Sequence, residues 1–308
     1  MCDVFAGHKI VWQTAVKPHN DIADNGQERP NEDYARYKQS SDGNAYILGL
    51  SDGAGGYGVF TSEWAKALVQ QLPEKPLISA TDIDDWLNGW WESFYNKAEG
   101  NLPSNETFLK NKFYNEGSAA TLCALWLFEN KEGGSPCWNY LCVGDSVIFR
   151  YNVSNGQLET PKHFQTPEQW EALPNLLNWA NQETIDLQIS ADSGSLLPDD
   201  CWILASDALA QWIWVQYLLS EANEKNRIWL ENARQCGGRL GRIIETVSQT
   251  ESRPRFSEWF GILMQAARDP KNFERLLYDA YEQRCLLRDD YTLLVLYPST
   301  MVITKKTN

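Results

Sequence analysis

Acidic side chains stand at the ends of several strand-like segments of this sequence. Asp52 closes the apolar segment 46–51, Asp207 closes segment 202–206, and Asp289 precedes the apolar segment 291–297. Carboxylates that meet at one edge of a sheet repel one another, so cations are needed to hold them together. Hard divalent ions such as Mg²⁺ and Mn²⁺ favour sites made only of oxygen ligands. The pattern predicts a divalent-metal site, although each aspartate alone is also typical of a turn or a helix cap.

Three further carboxylates lie beside turns. Asp145 sits in Val-Gly-Asp-Ser (143–146), between two strand-like segments, and Glu32 and Asp33 follow the turn Arg-Pro-Asn (29–31). These residues extend the set of oxygen ligands that a metal could use.

The glycine-rich segment 53–58 reads Gly-Ala-Gly-Gly-Tyr-Gly and matches the dinucleotide fingerprint G-x-G-x-x-G. The preceding Asp52 argues against that interpretation, because its carboxylate would face the pyrophosphate. No acidic residue closes a following strand roughly 20 residues on, where a ribose contact is expected. The sequence therefore favours a metal site over a nucleotide site here.

The net charge and the cysteine content of the chain argue against several classes of protein. The 308 residues include 27 Lys and Arg against 41 Asp and Glu, a net charge of −14, which disfavours nucleic acid or an anionic membrane as partner. Seven cysteines without a C-x-x-C pair indicate reduced thiols rather than a disulfide framework or a zinc site. The longest apolar segment, 119–128, is too short to span a membrane. We expect a cytoplasmic protein.

Strand and helix patterns occur in blocks, which favours an α+β fold over a doubly wound parallel sheet. Apolar segments bounded by turn residues predict strands over 8–15, 44–51, 118–128, 138–143, 146–153, 201–205 and 291–297, with a further strand at 301–304. Amphipathic periodicity predicts helices over 59–72 and 83–94, a helix near 168–181, and nearly continuous helix over 209–287.

Taken in chain order, the motifs resemble those of the PP2C-type (PPM) metal-dependent protein Ser/Thr phosphatases, bacterial members in particular. The resemblance covers about residues 8–298. It rests on Arg29 with Asn-Glu-Asp (31–33), Ser-Asp-Gly-Ala-Gly-Gly (51–56), Gly-Ser-Ala-Ala-Thr (117–121), Val-Gly-Asp-Ser (143–146), Leu-Ala-Ser-Asp (204–207) and Asp-Asp-Tyr-Thr (289–292).

This resemblance implies a PP2C-like β-sandwich of two antiparallel sheets flanked by helices, with the metal centre at one edge. It implies that Asp52 bridges two Mn²⁺ or Mg²⁺ ions and that the carbonyl of Gly53 binds one of them. Asp207 and Asp289 would complete the other ion's ligands.

The resemblance also implies more peripheral roles. Glu32 and Asp33 would act through metal-bound water, and Asp145 would hold a third ion together with Asp207, as in many bacterial members. Arg29 would grip the substrate phosphate. Asp52, Asp33 and Arg29 are thus the residues expected to act in catalysis.

The chain departs from the family pattern at two positions. Ala208 follows Asp207 where the family usually has Gly, and Ala54 stands where many eukaryotic members carry a His thought to protonate the leaving alkoxide. The activity expected is hydrolysis of phosphoserine and phosphothreonine on proteins by a metal-bridging water, in opposition to a Ser/Thr kinase. The alternatives are a pseudophosphatase that acts as a binding or scaffolding module and a metal phosphohydrolase for a small metabolite.

We expect a single phosphatase domain over 1–308; the sequence does not indicate its oligomeric state. Residues 161–197 are polar and rich in proline, and we expect them to form a flap that affects substrate choice. The helical segment 209–287 combines aromatic side chains with a concentration of Arg and Lys. That combination predicts an accessory surface for a protein partner.

Overall fold

The structure is a computed structural model that describes residues 5–19, 30–129, 134–180, 187–221, 223–249 and 254–301. The strands of this part of the chain are β1 (His8–Ala15), β2 (Asp33–Gln39), β3 (Ala45–Asp52), β4 (Ala119–Ala120), β5 (Leu122–Phe128), β6 (Cys137–Val143), β7 (Val147–Asn152), β8 (Gln157–Glu159), β9 (Leu177–Asn178), β10 (Ile189–Ser195), β11 (Asp200–Ala205) and β12 (Tyr291–Pro298).

The α-helices of the described residues fall into a group before β4 and a group near and after β11. They are α1 (Thr61–Gln70), α2 (Ala80–Asn88), α3 (Trp91–Gly100), α4 (Thr107–Glu116), α5 (Pro167–Glu171), α6 (Asp207–Ser220), α7 (Glu224–Cys236), α8 (Gly238–Ser248), α9 (Phe256–Ala266) and α10 (Pro270–Glu282). None of these helices has the length and apolar character needed to cross a membrane.

The chain divides into two compact units. The first unit is formed by Met1–Asn31, Val147–Leu173 and Leu197–Asn308. It contains an antiparallel sheet of order β1-β12-β11-β7-β8, in which every residue of the adjacent strands β11 and β12 is buried. Because these two strands are antiparallel neighbours, the end of β11 lies beside the start of β12.

Helix α6 follows β11 directly in the first unit and is buried on nearly all sides. A helix that is apolar all round belongs in a core, and this one carries Trp212 and Trp214 into it. The α6 sequence begins at Asp207, so the last residues of β11 and the first turn of α6 position that carboxylate.

The second unit is formed by Glu32–Ser146 and Pro174–Leu196. It contains an antiparallel sheet of order β10-β6-β5-β3-β2, with α1 packed on one face. Trp64 of α1 is fully buried there, and its indole N–H donates to the carbonyl of Leu177 at 2.9 Å. Strand β3, which lies between β5 and β2, packs on this core and ends at Asp52.

The predicted α+β class with two antiparallel sheets is confirmed. Most strands expected from apolar segments occur within one residue of their predicted bounds, but segment 118–128 forms two strands, β4 and β5, which pair in different sheets. The described part of residues 209–287 is mostly helical and contains α7 to α10 and most of α6. The predicted strand at 301–304 falls mostly outside the described residues, and the prediction of a single domain over 1–308 stays a prediction.

The helix predicted near 168–181 is wrong beyond its first turn. Helix α5 ends at Glu171, and the chain then runs extended into β9. Pro174 supplies the reason, because a proline disfavours helical backbone at the residue before it and offers no N–H. The single helix predicted over 83–94 is likewise two helices, α2 and α3, separated at Gly89 and Trp90.

Residues 161–197, expected to form a flap-like insertion, contribute a strand to a sheet. Their end forms β10, the edge strand of the second unit's sheet, which pairs with β6 over seven residues. Residues 181–186 lie outside the described part, and a role as a flap stays a prediction.

The prediction that the aromatic side chains of segment 209–287 form part of a partner surface is wrong for most of them. Six of these aromatic side chains lie in the core of the first unit: Trp212, Trp214, Tyr217, Trp229, Phe256 and Phe260. Successive aromatic rings on α6 and α9 pack against one another, and this packing accounts for their abundance.

Candidate metal-binding residues in the two units

The structure distributes the predicted site residues between the units. Glu32, Asp33, Asp52, Gly53 and Asp145 belong to the second unit. Asp207 and Asp289 belong to the first unit, and Arg29 lies outside the described residues.

Asp33 and Asp52 stand directly opposite each other in the second unit. Asp33 is the first residue of β2, Asp52 is the last residue of β3, and the two are register partners across the antiparallel pair. Asp33 is buried, with 6% of its surface exposed. Like charges in opposed positions destabilise a strand pair, so this arrangement favours a bound cation. The sequence places Asp33 after a turn, but the polar segment that follows does not indicate the strand β2.

The loop after Asp52 is fitted closely around Glu32. The Gly53 N–H donates to the Glu32 carbonyl at 3.1 Å, and the Thr61 hydroxyl donates to Glu32 Oε1 at 2.8 Å. A Cβ on Gly55 would lie 2.5 Å from Glu32 Oε1, so a side chain there would collide with the carboxylate. The glycine-rich loop therefore accommodates a carboxylate, which supports the exclusion of a pyrophosphate at this position.

Thr121 connects Asp52 to the turn that carries Asp145. The Asp52 N–H donates to Thr121 Oγ1 at 3.0 Å, and the Thr121 N–H donates back to the Asp52 carbonyl at 2.9 Å. The hydroxyls of Thr121 and Ser146 also hydrogen-bond, at 2.7 Å. The buried Thr121 hydroxyl thus links the ends of two motifs. The sequence motif 117–121 contains this threonine but does not indicate that it links the two segments.

Two buried thiols donate hydrogen bonds to the same turn. Cys123 and Cys142 are register partners on β5 and β6, and both thiols donate to the carbonyl of Ser146, at 3.1 and 3.0 Å. Burial raises the pKa of the Cys123 thiol well above its ordinary value. A thiol of this kind is a packing group rather than a nucleophile.

Asp207 and Asp289 form the corresponding pair in the first unit. Ser206 joins the two chain segments, because its N–H donates to the Thr292 carbonyl at 3.1 Å and its hydroxyl accepts from the Thr292 N–H at 3.0 Å. Burial raises the pKa of Asp289 to about 7, and the charge of Asp207 adds to this effect. Asp289 is thus hard to ionise unless a cation is present.

The replacement of the family's Gly by Ala208 is accommodated by local structure. Asp207 is the first residue of α6, and its carboxylate accepts the N–H of Ala208. Ala208 is helical, and alanine is the residue best suited to helical backbone. The position does not need the conformational freedom of glycine.

Arg239 is a neighbour of Asp207 that sequence analysis did not assign to the site. Its Nη1 lies 3.8 Å from Asp207 Oδ2, and the arginine side chain is 60% exposed. The sequence grouped Arg239 with the basic residues of the partner surface, because nothing in the spacing of 207 and 239 indicates that α6 and α8 bring them together.

The donors fit a hard divalent cation, since each unit offers closely placed, partly buried carboxylates. Within the described ranges, however, no three His, Cys, Asp or Glu side chains come together as a group that could hold a metal ion. The ligand assignments therefore stay predictions.

We predict that Asp289→Asn stabilises the metal-free protein more at pH 8 than at pH 5. A carboxyl whose pKa rises on folding, here from 3.8 to about 7, costs the folded state stability as pH increases from about 4 to about 7. The amide cannot ionise, so the variant should gain at least about 1 kcal/mol at pH 8 and less at pH 5. Urea unfolding with a chelator measures both values. The exposed Asp192→Asn is the control, and an equal gain at both pH values would contradict the prediction.

We predict that Thr121→Val destabilises the protein by about 1–3 kcal/mol, because it leaves the Asp52 N–H and the Ser146 hydroxyl without their buried partner. It should also raise the Mn²⁺ concentration needed for half-maximal thermal stabilisation. Thr121→Ser keeps the hydroxyl and should retain the wild-type Mn²⁺ response. A Val variant with wild-type stability and Mn²⁺ response would show that the linkage is unimportant.

The chain is similar to known proteins in its structure but not detectably in its sequence. No family profile and no curated protein sequence matches the chain. The Ser/Thr phosphatase Stp1 of Staphylococcus aureus is 14% identical, with a TM-score of 0.51 over 96% of this chain and 97% of that one. A Ser/Thr phosphatase of S. agalactiae is 15% identical, with a TM-score of 0.46 over 94% of this chain and 99% of that one.

A third solved structure is the PPM Ser-Thr phosphatase MsPP of Mycobacterium smegmatis in complex with cacodylate. It is 16% identical, with a TM-score of 0.42 over 96% of this chain and 99% of that one. The likeness to Stp1 extends over nearly the full length of both chains and shows a shared fold. The chain therefore has the fold of the PP2C-type (PPM) phosphatases that its motifs resemble.

Proposed function

We propose that the chain is a Mn²⁺- or Mg²⁺-dependent phosphatase that hydrolyses phosphoserine and phosphothreonine on proteins. The observation that carries the proposal is the direct opposition of Asp33 and Asp52 at the ends of paired strands, in a chain with the fold of the phosphatase Stp1. A second carboxylate pair, Asp207 and Asp289, supports it.

The two pairs would hold the divalent ions, with Asp52 as the bridging ligand and the Gly53 carbonyl as an additional donor. Divalent ions, when bound, neutralise phosphate oxygens and acidify water. Asp33 and Glu32 would accept hydrogen bonds from water there, and the Thr61 hydroxyl, which donates to Glu32 Oε1, would keep Glu32 oriented for this role. The Asp145 turn would provide a ligand for a third ion.

Other residues are relevant to phosphate binding, to protonation of the leaving group and to the choice of nucleophile. Arg29 would bind the substrate phosphate. Ala54 cannot donate a proton, so water or another group of the site would have to protonate the leaving alkoxide. Burial raises the pKa values of the Cys123 and Cys201 thiols, which argues against a cysteine nucleophile at either position. A phosphorylated protein and its Ser/Thr kinase are the expected partners, and we propose a cytoplasmic location.

A pseudophosphatase is the competing proposal, and the position of Arg239 favours it. Its guanidinium is 3.8 Å from Asp207 and could balance that charge without a metal. Turnover of a phosphothreonine peptide with Mn²⁺, abolished by chelation, would support the enzyme. Stable peptide binding without turnover would support the binding module. Sugar phosphates and nucleotides assayed in parallel test a small-metabolite substrate.

We predict that Asp52→Asn lowers kcat/KM for a phosphothreonine peptide by at least about a hundredfold while the protein stays folded, because this carboxylate is proposed to contact both ions. Asp192→Asn removes an exposed carboxylate from β10 of the same sheet and should retain wild-type activity. Circular dichroism checks the fold of both variants. Activity of Asp52→Asn within a few-fold of wild type would contradict the two-metal assignment.

A further inference from the structure

We infer that Arg239 is a substrate-binding residue that contacts the phosphate of the phosphoprotein, and that Glu171 is the positioning residue that holds it in place. This inference rests on the proposed phosphatase function and assigns part of substrate recognition to α8, within the first unit. It replaces the sequence-based interpretation of Arg239 as one member of a general basic patch.

The first argument is the position of the guanidinium. Arg239 Nη1 is 3.8 Å from Oδ2 of Asp207, a proposed metal ligand. This separation exceeds hydrogen-bond distance, so the ion pair does not occupy the guanidinium donors. Among the described residues, the Arg239 side chain has no hydrogen-bond partner, and it is 60% exposed. Its charge is therefore close to Asp207 while its donors face solvent.

Other arginines of α7 and α8, unlike Arg239, use their guanidinium groups in hydrogen bonds. Arg242 Nε donates to the Gly238 carbonyl at 3.2 Å, in the same helix. Arg234 donates to the Ser248 hydroxyl at 2.9 Å, and Arg227 makes two hydrogen bonds to Glu224. Each of these three side chains thus has at least one donor used in a hydrogen bond within the first unit.

The second argument is the way the start of α8 is held. The Leu240 N–H donates to Glu171 Oε1 at 2.6 Å, and Leu240 itself is fully buried. Gly238 has a φ of +73°, and a Cβ on it would lie 2.5 Å from Glu171 Oε2. The residues on both sides of Arg239 are thus in contact with the Glu171 carboxylate. This contact fixes the backbone from which Arg239 extends toward Asp207.

The chemistry of a guanidinium suits this position. Its planar fork of N–H donors binds phosphate oxygens in pairs, and it keeps its charge at any physiological pH. A phosphomonoester dianion that binds near cations at Asp207 would come within reach of Arg239. The arginine would hold the phosphate in the ground state and the transition state alike, so its loss should act mainly on KM.

The test compares Arg239→Ala with Arg242→Ala, which removes the same charge from an exposed position three residues along the same helix. We expect Arg239→Ala to raise the KM for a phosphothreonine peptide and the inhibition constant of inorganic phosphate by about tenfold, with kcat changed less than about threefold. Arg239→Lys should recover part of the loss, since it keeps the charge and loses the fork. Glu171→Gln should shift KM in the same direction by a smaller factor. Arg242→Ala should match wild type.

A binding measurement accompanies the kinetics. Calorimetric titration of inorganic phosphate into the Mg²⁺-loaded protein should give about tenfold weaker binding for Arg239→Ala and unchanged binding for Arg242→Ala. If Arg239 only balances the charge of Asp207, the alanine variant will bind Mg²⁺ more tightly and phosphate as wild type does, which overturns the inference. Absence of phosphatase activity in wild type would overturn the proposed function. An active wild type with no difference between the two alanine variants would overturn the inference alone.

Discussion

Electrostatic repulsion between carboxylates is the constraint on which the rest of the structure depends. Asp33 and Asp52 are opposed across β2 and β3, and burial, together with the charge of Asp207, raises the pKa of Asp289. Neither pair is an arrangement that packing or hydrogen bonding would favour by itself. Both persist because the surrounding backbone is fixed by other interactions, and both would be relieved by a divalent cation.

Short hydrogen-bonded links provide that fixation within each unit. Thr121 ties Asp52 to the turn of Asp145 and Ser146, while Ser206 ties the end of β11 to the start of β12. These links join residues that are distant in sequence, and they lie at strand ends rather than in the apolar core. Small hydroxyl side chains thus fix the backbone at the strand ends next to which the carboxylates stand.

Much of the fold could be predicted from the sequence because apolar strands bounded by turn residues are local signals. The failures have physical causes. Strand β10 lies at the edge of its sheet and is mostly polar, so no apolar segment marks it. The helix expected near 168–181 ends at Glu171 because Pro174 disfavours helical backbone before it. The motif order located the carboxylates, but the opposition of Asp33 and Asp52 depends on a strand register that composition does not encode. The contact between Arg239 and Asp207 depends on the packing of α8, which local periodicity cannot reveal.

The most direct test of the account is a crystal structure after soaking in Mn²⁺, with anomalous scattering used to locate the metal. The account predicts anomalous peaks within ligand distance of the carboxylates of Asp52 and of Asp207 or Asp289, with Arg239 beside the latter pair. A map with no peak at these carboxylates, at a Mn²⁺ concentration that saturates thermal stabilisation, would contradict the claim that cations hold them together.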